Sequence, residues 1–171
     1  LLAARPDATG KTGAVGFCWG GGVVNDLAVS VPELAAGVVF YGRSPDLAKV
    51  PQIKARLLIQ HAARDTRLVQ QLPDYEAALK AAGIRHEVIV YPDVDHAFHN
   101  DTSAERYNAA AAKQAWDKAV AFLAAETAGH RQTAAIERNH VGILIRIRRH
   151  RGGRAGSIHV FLVRLLEFHF R

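Results

Sequence analysis

Residues 12–31, TGAVGFCWGGGVVNDLAVSV, decide how this chain folds. A short apolar run bounded by glycine stops at Cys18, and from Val23 to Val31 apolar residues recur at helical spacing until Pro32 halts them. That order reads as a strand, a sharp turn and a helix. The single cysteine stands at the turn, between Gly16 and Gly20, as either a nucleophile or a small buried side chain.

The same alternation continues outward. Residues 35–42 (AAGVVFYG) and 55–61 (ARLLIQH) are aliphatic and β-branched runs that suit buried strands, with a proline-containing loop between them. Residues 72–83 put Leu72, Tyr75, Leu79 and Ala82 on one helical face and stop at Gly83, a favoured C-terminal residue. A strand over 85–92 (RHEVIVYP) ends at proline and leads through DVDHAFHNDTS into an alanine-rich amphipathic helix over 104–126. Tyr107, Ala111, Trp116, Val120 and Leu123 are expected to face its core. Strands alternating with helices imply an α/β fold of right-handed βαβ units, a mostly parallel sheet flanked by helices. Four strands make a small sheet, and the chain has no methionine and enters a strand within a dozen residues. Residues 1–127 are therefore expected to be the C-terminal portion of a domain whose N-terminal strands are missing here.

The 171 residues, 49% of them hydrophobic, suit a globular domain with a real core, and nothing in them demands a membrane. The formal charge of +6 is unevenly placed. Residues 1–127 carry 13 Lys and Arg against 14 Asp and Glu, whereas residues 128–171 carry 9 Arg, no Lys and 2 Glu. Basic character thus belongs to the tail alone. A lone cysteine forms no internal disulfide and suits a reducing cytoplasm.

A thiol with a reference pKa of about 8.5 is mostly protonated at neutral pH, so a catalytic cysteine needs a positive dipole, a neighbouring base, or both. Gly16, Cys18 and Gly20 fit the G-x-nucleophile-x-G elbow, which presents its side chain at a helix N-terminus. There the backbone N–H of Trp19 can meet a developing oxyanion. The competing reading is that free cysteine is among the most buried residue types. Partners favour the nucleophile: Asp65 follows one predicted strand end and His96 lies in the loop after the next strand. Nucleophile, acid and base in that order, all at the carboxyl ends of parallel strands, is the α/β-hydrolase arrangement. Asp93 and Asp95 are rivals for the acid, but they are too near His96 in sequence to approach its ring from the far side and fit a turn after Pro92. His61 and His99 with His96 lack the spacing of a metal site, so no metal and no cofactor are expected. Trp19 and Phe98 flank the nucleophile and the base and are candidates to line the substrate pocket.

Together VGFCWGGG, FYG, YEAALKAAG, YPDVDHAFHNDT and RYNAAAAKQAW resemble the dienelactone hydrolase (carboxymethylenebutenolidase) family over about residues 10–126. The resemblance implies a Cys18, Asp65, His96 triad acting on a small ester or lactone. Where family members carry an arginine that helps hold the substrate carboxylate, this chain has Asn100, so Asn100 and Phe98 are its candidate substrate-binding residues. The implied activity is therefore hydrolysis of some ester or lactone rather than of dienelactone itself.

Class I glutamine amidotransferases also use a G-x-C-x-G elbow, but with an acid two residues after the histidine, where this chain has Phe98. Residues 128–171 scatter five His among apolar runs such as GILIRI and VFLVRLL. They are expected to lie outside the domain, unless they fill the space left by the missing strands. A non-catalytic chain binding nucleic acid through this tail is the alternative function. The preferred reading of the tail is a coding sequence translated past its natural end or in a shifted frame, because it lacks the organised charge runs of a binding arm.

Overall fold

Alternation along the central strands divides the core in two. Val15, Val38 and Leu58 point to one side of the sheet, and their neighbours Ala14, Val39 and Ile59 point to the other. Each face therefore needs its own cover of helices. The computed structural model describes residues 9–128 and the strand 159–163.

Strand β1 (Thr12–Phe17) passes directly into α1 (Trp19–Ser30), then β2 (Leu34–Phe40), a 3₁₀ helix (Leu47–Gln52), and β3 (Arg56–Ala62). Next come a short helix α2 (Thr66–Val69), α3 (Leu72–Ala81), β4 (His86–Tyr91), α4 (Ala109–Thr127) and β5 (His159–Val163). The sheet order is β4-β3-β2-β1-β5, with β1 to β4 parallel. All the functional turns thus open at one edge, the carboxyl ends of β1 to β4. One face is covered by α1, α3 and the 3₁₀ helix through Val24, Ala28, Val50, Ile53, Tyr75 and Leu79. The other is covered by α4 through Ala112, Ala115, Ala119, Phe122 and Leu123. Buried polar groups are paired across these layers: Tyr75 Oη donates to Asn25 Oδ1, Asn25 Nδ2 to the Arg43 carbonyl, and Tyr91 Oη to Gln60 Oε1. No helix among the described residues is long and apolar enough to cross a membrane.

Three expectations are corrected. Helix α1 begins at Trp19, so the glycine run is its first turn and not a linker before it. Helix α4 begins at Ala109, where the Asn108 side chain caps it by accepting from the Ala111 N–H, and residues 104–108 are turn and loop. Its buried stripe is partly displaced: Leu123 lies in the core and half-buried Ala111 and Trp116 pack against it as expected, but Val120 is half-buried outside that cluster and Tyr107 is 41% exposed. Finally, residues 159–163 of the tail are a strand in the sheet, antiparallel to β1 with Val15 opposite Phe161. The unpaired edge of β1 offers backbone donors and acceptors, and a β-rich apolar run satisfies them. Residues 129–158 and 164–171, with all nine of the tail's arginines, lie outside the described residues.

Candidate active site

Cys18 is held in a conformation that side chains avoid, with φ 56° and ψ −120°. Its backbone is fixed on both sides. The N–H donates to the Phe40 carbonyl at 2.9 Å, and its carbonyl accepts from Gly21 and Gly22 at 3.0 and 3.2 Å. Such a turn requires a bare backbone beside it: a Cβ on Gly16 would lie 2.1 Å from the Gly20 carbonyl oxygen. The thiol that results is exposed, so the small-buried-side-chain reading of Cys18 does not hold. Trp19 is the first residue of α1, whose N–H has no intrahelical acceptor, and its side chain is 61% exposed.

Asp65 stands at the N-cap of α2 yet makes no side-chain cap there. Its Oδ2 instead lies 2.5 Å from His96 Nδ1, while His96 Nε2 lies 3.1 Å from Cys18 Sγ. The imidazole is thus engaged by both nitrogens, with the carboxylate behind it nearly buried and the thiol in front open to solvent. Asp93 and Asp95 face Arg64 at 3.8 and 3.5 Å. Because Arg64 precedes Asp65 and the two aspartates precede His96, this clamp joins the loops that carry Asp65 and His96.

The expected substrate residues are placed differently. Phe98 is fully buried between Tyr41 and Tyr91, with ring centroids 5.7 and 5.3 Å away, and offers no face to a ligand. Asn100 is exposed, but its Oδ1 accepts from the Thr102 N–H and hydroxyl, a local turn. A cleft of about 230 Å³ that the sequence did not signal opens beside His99, Tyr107, Lys113 and Trp116. His99 also packs against Phe17, the residue before the thiol, at 5.3 Å. Burial lowers the His99 pKa from its ordinary value. His61, at the end of β3, is 2% exposed, and its Nδ1 has no hydrogen-bond partner among the described residues. Burial brings its pKa down to about 4 against the opposing pull of Asp65, with His96 adding a smaller decrease.

Residues 1–127 match the family model of the dienelactone hydrolases. The chain belongs to the dienelactone hydrolase family. A relative from Saccharolobus solfataricus, provisionally named a carboxymethylenebutenolidase, is 39% identical over 114 residues, which cover 66% of this chain and 44% of that protein. An Escherichia coli K12 protein with the same provisional name is 34% identical over 114 residues, 60% of this chain and 42% of its own. Among solved structures, a provisionally assigned dienelactone hydrolase from Klebsiella pneumoniae superposes with a TM-score of 0.60 at 32% identity, covering 64% of this chain and 50% of that one. P91, a dienelactone hydrolase-like promiscuous phosphotriesterase from metagenomic libraries, gives 0.63 at 20% identity, covering 68% and 52%, and shares the fold. The chain thus spans less than half the length of these curated dienelactone hydrolase relatives.

Proposed function

We propose that this dienelactone hydrolase family member hydrolyses small esters or lactones with Cys18 as nucleophile, His96 as base and Asp65 as the orienting acid. The observation that carries the reading is the single imidazole held between Asp65 Oδ2 and Cys18 Sγ. The Asp65 contact keeps the proton on Nδ1, which leaves the Nε2 lone pair free to take the thiol proton. Sγ then attacks the substrate carbonyl carbon, and the oxyanion accepts a hydrogen bond from the Trp19 N–H at the positive end of α1. Collapse breaks the bond to the leaving oxygen, which receives the proton from Nε2 and departs as the alcohol. Water, deprotonated by the same nitrogen, attacks the thioester, and the acid leaves as the thiol is restored. A thiol nucleophile works in a reducing compartment, and we place the protein in the cytoplasm.

The test is acylation of the 171-residue chain by p-nitrophenyl acetate, followed by release of p-nitrophenol and by mass spectrometry. An acetyl group is expected on Cys18, with both the adduct and the turnover lost in Cys18→Ala and a small residue of activity kept in Cys18→Ser. Turnover by Cys18→Ala equal to that of the parent would place the nucleophile elsewhere.

A further inference from the structure

His96 stands in a loop that is pinned on either side of it. Two residues earlier Val94 is buried, two residues later Phe98 is buried, and both belong to the core between the sheet and α4. Main-chain bonds tie this loop to the one that carries Asp65: the Ala63 N–H donates to the Tyr91 carbonyl at 2.9 Å and the Arg64 N–H to the Val94 carbonyl at 3.2 Å. Around these anchors the chain enters the left-handed region twice, at Asp93 with φ 56° and at Ala97 with φ 65°. Strain of this kind persists where the surrounding structure over-determines it. Arg64 adds a charged link between the two loops at the surface. Its Nη1 lies 3.5 Å from Asp95 Oδ2 and its Nη2 3.8 Å from Asp93 Oδ1. Arg64 is the residue before Asp65, and Asp95 is the residue before His96, so the guanidinium bears on both sides of the contact between Asp65 Oδ2 and His96 Nδ1.

We propose that Arg64 is a positioning residue of the candidate site: its guanidinium, between Asp93 and Asp95, sets the loop of His96 against that of Asp65, so that Nδ1 meets the carboxylate while Nε2 stays on Cys18 Sγ. The inference rests on the reading of His96 as base and Asp65 as orienting acid. The imidazole is engaged at both nitrogens, at 2.5 and 3.1 Å, so a loop shift of about 1 Å breaks one contact or the other, and misplacement of that size is costly in catalysis. A pair as open to solvent as this, with the Arg64 side chain 55% and the Asp95 side chain 49% exposed, adds little to overall stability. Its effect is therefore expected on alignment, and it weakens as salt screens the exposed charges.

Two readouts on the full chain test this: turnover of p-nitrophenyl acetate, and the NMR resonance of the His96 Nδ1 proton, identified by its loss in His96→Gln. Arg64→Gln is expected to lower kcat about fivefold, the size of effect an exposed ion pair can set, with KM and melting temperature close to the parent's. The Nδ1 resonance is expected to broaden in the same variant, because the contact with Asp65 is then made only part of the time. Arg64→Lys keeps the charge and is expected to restore most of both. Salt at about 1 M, where the screening length is about 3 Å, is expected to bring the parent toward Arg64→Gln and to leave that variant unchanged. In a chain that already carries Asp93→Asn and Asp95→Asn, Arg64→Gln is expected to have no further effect. An Arg64→Gln protein with the parent's kcat and resonance, Arg64→Lys as slow as Arg64→Gln, or an undiminished effect of Arg64→Gln without the two aspartates overturns the proposal. The resonance needs no ester turnover. If Cys18→Ala hydrolyses ester as the parent does, or neither does so, the hydrolase reading fails and the resonance in Arg64→Gln decides the assignment of Arg64 by itself.

Discussion

At position 65 a residue type that usually caps helices gives its carboxylate to an imidazole instead, and the reason is the competition around it. Arg64 takes Asp93 and Asp95, which leaves Asp65 to reach Nδ1. Beneath it, His61 is buried neutral, and this has a consequence for stability. With a folded pKa of about 4 against about 6.5 in the unfolded chain, the unfolded state binds more protons throughout that window. Stability is therefore expected to be full above pH 6.5 and to fall as the pH drops toward 4, by an amount on the order of 3 kcal/mol from this group. Urea unfolding of the parent and of His61→Leu at pH 4.5 and pH 7 checks it. The stability difference between the two proteins should change with pH in favour of the variant on the acid side, and a constant difference counts against the assignment. Cys18, Asp65 and His96 were legible in the sequence because strand ends fix where their loops emerge. Phe98 and Asn100 were not, because Ala97 adopts φ 65°, a reversal that nothing about an alanine announces, and Phe98 is directed into the core.

At the scale of elements, β1 to β4 were read closely and the starts of α1 and α4 were not. β1 and β4 show their turn chemistry as glycine and proline. In α1 the glycines carry a different meaning: they are helical because the end of β2 passes so near. A Cβ on Gly21 would lie 2.8 Å from the Phe40 carbonyl oxygen, and one on Gly42 would lie 2.4 Å from the Gly21 carbonyl carbon. Glycine is a poor helix former, so its presence here reflects contact and not propensity. In α4 the alanines that touch the sheet have no signature to set them apart from the alanines that face water, which is why Ala112, Ala115 and Ala119 were missed from the expected stripe. The contrast between two glycines tests this. Gly42→Ala is expected to cost about 1 to 3 kcal/mol and to lower ester turnover, since backbone meets backbone beneath the elbow. Gly83 has open space around it and φ 67°, so Gly83→Asn, a residue that tolerates the left-handed region, is expected to leave turnover unchanged. Thermal melts and turnover of both variants decide it. A Gly42→Ala protein as stable and as active as the parent would mean that the elbow does not depend on that approach.

For the whole molecule, the question is what closes the sheet beside β1. No turn logic in the tail connects it to the βαβ units, and antiparallel pairing by a segment more than thirty residues beyond α4 leaves no periodic trace in between. Yet the strand that leads into Cys18 is bordered by β2 on one side and by β5 on the other. Gly13 to Phe17 pair with Val163 to His159, so loss of β5 would uncover a row of backbone donors and acceptors along the apolar strand. Deleting the tail would also take the formal net charge from +6 to −1, from 13 Lys and Arg against 14 Asp and Glu, and low net charge itself promotes association. A point change separates the two effects. Phe161→Pro leaves the formal charge at +6 and breaks the ladder opposite Val15, because proline has no N–H to donate. Sedimentation velocity is expected to show this variant self-associating more than the parent at equal concentration, with a lower melting temperature as the β1 edge opens. If Phe161→Pro sediments and melts as the parent does, while a chain ending at Ala128 associates, charge governs solubility and β5 contributes nothing to the closure of the sheet.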